Sequence, residues 1–75
     1  MTLGRIEIRP DVMLGKPVIR GTRITVELVL RRISEGATEA DLLASYPHLT
    51  SEDIRAAVAF AADEIAHLDN VAVSA

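Results

Sequence analysis

The chain has no cysteine and almost no aromatic surface, Tyr46 and Phe60 being the whole of it. Without cysteine there is no disulfide staple and no thiolate to hold zinc, which suits a cytoplasmic protein. Two aromatic rings argue against a stacking platform for single-stranded nucleic acid. No apolar run approaches the ~18 residues of a membrane span, and no signal-peptide pattern is present, so no membrane role is expected. A net charge of −3 excludes a uniformly basic nucleic-acid coat and leaves room only for a local patch.

What is present is compact in length and polarised in charge. Seventy-five residues make one domain, residues 1–75. A chain of this size buries only roughly 60% of its unfolded surface, so its core is marginal and self-association would support it. Residues 1–34 carry seven basic against three acidic side chains, a net of +4, whereas residues 35–75 carry one against eight, a net of −7. Such a split suggests that each half meets something different. The stretch GKPVIRGTRITV, residues 15–26, concentrates Lys16, Arg20 and Arg23 with no acid among them.

The expected fold is mostly α with a small β N-terminal segment, a short hairpin or arm followed by a three-helix helix-turn-helix unit. Residues 5–24 form the basic arm. RIEIR, residues 5–9, alternates as a strand does, with Ile6 and Ile8 inward. Gly15-Lys16-Pro17 and Gly21-Thr22 are turn chemistry around a second short strand at Val18-Ile19. The three-helix unit spans residues 25–68. Thr25 caps the first helix, whose apolar face is Val26, Val29, Leu30 and Ile33, and Gly36 stands just past its end. Thr38, with Asp41 as its box partner, caps a second helix with an apolar face of Leu42, Leu43 and Tyr46. Pro47 stops it, and Pro47-His48-Leu49 connects to Thr50, the cap of a third helix. Ile54, Ala57, Val58, Ala61, Ile65 and Leu68 mark that helix's buried face. Residues 69–75 are expected to fray.

Little here points to catalysis, and neither an enzymatic role nor a cofactor is expected. Lys16 follows the first glycine and precedes Pro17, so no phosphate-binding P-loop exists. Serines and threonines sit mainly at helix caps, and the carboxylates are scattered over helix surfaces. Asp63 and His67 share a face at i, i+4, yet two ligands fall short of a metal site, so a surface hydrogen bond is the simpler reading. His48 falls in the turn and Tyr46 at the core edge. The arginines of the Arg20–Arg23 turn are not required by turn geometry. They either contact phosphates, for which guanidinium forks are suited, or pair with acids of the other half.

A helix-turn-helix reads DNA with the leading turn of its second helix, here Thr50, Ser51, Glu52 and Asp53. Two carboxylates there suit the helix dipole but repel phosphates, leaving Arg55 and the hydroxyls of Thr50 and Ser51 in favour. Any DNA is therefore held mainly by Lys16, Arg20 and Arg23.

The combination of GKPVIRGTRITV, the EGAT connection at residues 35–38, the YPHLT turn at residues 46–50 and the Ala-rich last helix resembles the family called domain of unknown function 433, over residues 5–68. The resemblance implies a homeodomain-like helix-turn-helix behind a short β segment. It also implies an antitoxin of a type II toxin–antitoxin pair, partnered by a PIN-like ribonuclease toxin. Taken with the three-helix pattern and the split charge, it suggests a homodimer that also binds its own promoter DNA. No long C-terminal arm is available to wrap a toxin, so the acidic half, with Asp63, Glu64 and His67, is the expected toxin contact. The alternative is a protein-interaction adaptor on the same fold that binds no DNA.

Overall fold

The computed structural model describes residues 2–68, with the backbone alone for residues 2 and 3. Three two-residue strands come first, β1 (Thr2–Leu3), β2 (Ile6–Glu7) and β3 (Val18–Ile19). They form an antiparallel sheet in the order β1-β2-β3, with Leu3 opposite Ile6 and Ile6 opposite Ile19. Three helices follow, α1 (Val26–Ser34), α2 (Glu39–Ser45) and α3 (Ser51–Ala66). The expected β segment and three-helix unit are therefore both present. β1 adds a strand to the expected arm, and the second strand is shorter than RIEIR. Ile6 is buried, while Ile8 is only half-buried. The expected frayed tail, residues 69–75, lies outside the described residues.

Each helix begins where its sequence signal places it. The Thr25 hydroxyl accepts from the Leu28 amide at 3.0 Å. Thr38 and Asp41 form a reciprocal capping box on α2, and Thr50 and Asp53 form another on α3. These pairs satisfy amides that have no partner within the helix. α1 ends in a Schellman arrangement, with the Gly36 amide on the Ile33 carbonyl and the Ala37 amide on the Arg32 carbonyl. Gly36 takes a φ of 100° there, a conformation that penalises any side chain. α2 stops at Ser45, one residue before Tyr46, whose amide still bonds back to Leu42.

The core gathers Ile6 and Ile19 from the sheet, Val26 and Val29 from α1, Leu42 from α2, and Ile54 and Ala57 from α3. Leu49, expected only as part of the connection, is buried with them at 4% exposure. It plugs the space beneath the α2–α3 turn, its amide bonded to the Tyr46 carbonyl. The expected buried face of α3 is not buried along its length. Ile54 and Ala57 are covered, but Val58, Ile65 and Leu68 are 45%, 67% and 57% exposed. α1 is too short to cover a 16-residue helix from end to end.

Between β2 and β3 the backbone makes a left-handed turn. Met13 and Leu14 take φ values of 48° and 58°, and the Leu14 side chain is 94% exposed. The left-handed region costs an L-residue roughly 1 kcal/mol, and Leu14 recovers nothing by burial. Leu14→Asn is expected to raise stability by about 0.5–1 kcal/mol, since asparagine tolerates this conformation. Denaturant unfolding checks it, and a loss of stability would give Leu14 a packing role that its exposure denies.

Two carboxyls are held below their ordinary values. The Thr38 amide, and then its hydroxyl, lower that of Asp41 from 3.8. Hydrogen bonding from Lys16, then its charge, then Arg31 in the same way, lower that of Glu27 from 4.5. The unfolded chain thus binds more protons than the folded one in acid, so both contributions are complete above about pH 4.5 and fade as pH falls through the lowered values. Stability is expected to decline below about pH 4.5, and Asp41→Asn should make that decline shallower in urea titrations at a series of pH values.

Candidate nucleic-acid interface

β3 leads directly into the turn that carries the two central arginines. The Thr22 amide bonds to the Ile19 carbonyl at 3.0 Å, and Gly21, at a φ of 79°, sits where this kind of turn needs a left-handed residue. The Thr22 hydroxyl donates to the same carbonyl at 2.8 Å and accepts from the Ile24 amide at 3.0 Å. Gly21 and Thr22 thereby account for the backbone of the turn. Arg20 and Arg23 are spare to its construction.

The two arginines meet different fates. The Arg20 guanidinium donates to the Gly4 carbonyl, and its amide bonds to the Arg5 carbonyl at 2.7 Å, so Arg20 clasps the β1–β2 turn. Arg23 is exposed and makes no side-chain hydrogen bond or ion pair among the described residues. Among the described residues, Arg20 and Arg23 form no ion pair with acids of the C-terminal half. Arg5 takes that role instead, its guanidinium 3.1 Å from Asp53 Oδ1.

The arginine turn lies beside the α2–α3 turn. A cleft of about 630 Å³ runs between them, lined by Arg20, Arg23, Ser45, Pro47 and His48 among others. A second, of about 550 Å³, continues past Arg20 and His48 to Arg5, Thr50 and Asp53. The one acid on this surface is Asp53, and it is turned inward. Its Oδ2 accepts from the Thr50 amide at 3.0 Å while Oδ1 meets Arg5. The expected repulsion at the front of α3 is therefore reduced but not removed, because Glu52 is exposed there and Glu39, 2.9 Å from Ser51, brings a second carboxylate.

The structure separates the remaining sequence candidates. Thr50 borders the cleft with its hydroxyl accepting from the Asp53 amide at 3.1 Å. Ser51 donates to Glu39 Oε2 at 2.9 Å, which ties α3 to α2. Arg55 is exposed on α3 and does not line the cleft. Lys16 turns to Glu27 at 3.2 Å, beside a groove between α1 and α3. His48, read from sequence only as a turn residue, is common to both clefts. Its position after Pro47 was the available signal. Asp63, Glu64 and His67 are exposed near the end of α3 and share a cleft beneath the β1–β2 turn. His67 Nδ1 donates to the Asp63 backbone carbonyl at 2.6 Å, so the expected i, i+4 hydrogen bond reaches the main chain rather than the carboxylate. Among the described residues no three His, Asp or Glu side chains gather as metal ligands, and no helix is long and apolar enough to cross a membrane.

A small antiparallel sheet feeding three helices, with a basic cleft at the turn between the second and third, defines a class of small helix-turn-helix-plan proteins. Residues 6–61 match the model of the family described as "Protein of unknown function (DUF433)", and the chain belongs to that family. It is 38% identical over 52 residues to the uncharacterized protein y4eO of Sinorhizobium fredii (strain NBRC 101917 / NGR234). That match covers 69% of this chain but only 24% of the relative. The fold is also similar to the 2.00 Å crystal structure of a DUF433 member from Anabaena variabilis ATCC 29413, at 38% identity and a TM-score of 0.79. The similarity takes in 88% of this chain and 65% of that one, so the chain spans less than two thirds of either relative.

Proposed function

We propose that this chain is the antitoxin of a type II toxin–antitoxin pair, acting in the cytoplasm without cofactor or catalysis. In this reading it binds a PIN-like ribonuclease toxin and the double-stranded DNA of its own promoter. The observation that carries the DNA part is the cleft between the arginine turn and the α2–α3 turn. Arg23 faces it with no partner among the described residues, Arg20 and His48 stand beside it, and its one lining acid, Asp53, is buried and ion-paired with Arg5. Guanidinium forks on a rigid turn suit phosphate oxygens and position a helix front against the duplex. The toxin part is supported by the family resemblance and by the exposed acids of α3, since a ribonuclease that grips RNA presents a basic site that carboxylates can cover.

Two measurements test the reading. Titration with promoter DNA should give binding that weakens steeply with salt. Co-expression with a neighbouring PIN-like gene product should yield a stable complex with the ribonuclease silenced. A toxin that never co-purifies and stays active would remove the antitoxin role. Binding to the toxin with no DNA shift even at low salt would favour the adaptor reading, which Glu52 at the exposed front of α3 supports.

A further inference from the structure

The α3 face that sequence periodicity assigns to the core is largely uncovered from Val58 onward, with Val58, Ile65 and Leu68 exposed and Ala61 half-buried. Val58, Ala61, Ile65 and Leu68 are spaced by three, four and three residues. That is the a/d repeat of a helix seamed against another helix. Ile65 is 67% exposed and Leu68 57%, so neither helps to hold the single chain together. Beside this stripe, a groove of about 510 Å³ runs between α1 and α3, floored by Leu30, Phe60, Ala61 and Ile65.

The rims of the groove are charged with opposite sign. On the α1 side, Glu27 is shared between Lys16 at 3.2 Å and Arg31 at 3.4 Å, so the three side chains leave one positive charge in excess. On the α3 side stands Glu64, which makes no ion pair among the described residues. Arg31 and Glu64 border the same groove without meeting. A two-fold axis presents the same patch from both sides, so a surface with separated opposite charges complements itself.

We infer that this face binds a second copy of the chain, the α3 stripes packing together and Arg31 of each copy reaching Glu64 of the other. Such a dimer would draw Glu64 from the expected toxin contacts and leave Asp63 and His67 for the toxin. It also supplies the apolar burial that a chain of this size lacks.

Sedimentation equilibrium of the full chain should give twice the 8.1 kDa chain mass. Ile65→Asp should give the single-chain mass with unchanged helical circular dichroism, because Ile65 is exposed in the lone chain. Arg31→Glu and Glu64→Arg should each weaken association roughly ten-fold, and the two together should restore most of it. A single-chain mass for the unaltered protein overturns the inference, whether residues 69–75 cover the stripe or only the toxin does. So does a dimer indifferent to Ile65→Asp, or a double charge reversal no better than either single one.

Discussion

Asp53→Ala is expected to lower stability by roughly 2–3 kcal/mol, with the melting temperature falling by more than about 10 °C. Asp53 is 6% exposed and accepts two bonds that fasten different parts of the chain. One, from the Thr50 amide, closes the capping box of α3. The other, from Arg5, joins the β1–β2 turn to α3 across 48 positions of sequence. Loss of the cap alone costs about 1 kcal/mol. A charge-assisted bond adds about 1.5–2 more, toward the low end because half of the Arg5 side chain is in water. Asp41→Ala removes the corresponding box of α2, where both partners are exposed to solvent, and should lower the melting temperature by less than half as much as Asp53→Ala. Thermal melts of the two variants decide the matter. Equal losses would mean that the Arg5 tie contributes nothing. Asp53→Asn, which keeps an acceptor for the cap but not the ion pair, should fall between them.

On the DNA-binding reading proposed above, Arg23→Ala is expected to weaken promoter binding about ten-fold at low salt and to reduce the salt slope by about one, with an unchanged melting temperature. Its side chain has no partner within the described residues, so its removal disturbs only what lies in the cleft. Arg20→Ala should weaken binding to a similar degree but also lower stability by roughly 1 kcal/mol, because its guanidinium holds the Gly4 carbonyl. The double variant should lose roughly a hundred-fold, and equally on unrelated DNA sequences, since phosphate contacts position the duplex rather than read it. Unchanged affinity in Arg23→Ala would take the cleft out of the DNA-binding role. A loss confined to one sequence would instead mean that Arg23 reads bases.

Features that depend on near neighbours in the chain are legible from residue order alone. Thr25, Thr38 and Thr50 cap helices because each places a hydroxyl three residues before an amide with no partner in its helix. Gly36 and Pro47 end helices through their own backbone limits. The arginine turn is equally visible, since Gly21 and Thr22 explain its path and leave the arginines unexplained. Leu49 is not legible as core. Set between His48 and Thr50 in a connection, it belongs to no periodic run, and only the packing of α2 against α3 buries it. The exposure of Val58 and Ile65 is hidden for the opposite reason, because periodicity records an apolar face but not what covers it.

The family is legible in the motifs GKPVIRGTRITV, EGAT and YPHLT as a resemblance, while the three helices and their ends, the β-bearing arm and the polarity of charge follow from composition or from spacings of a few residues. Which charges remain available follows only from how the chain packs. Packing turned Asp53 inward to Arg5, took Lys16 to Glu27, and left Arg23 facing the α2–α3 turn. Those outcomes join residues far apart in the chain, and their energies depend on distances that no local pattern carries.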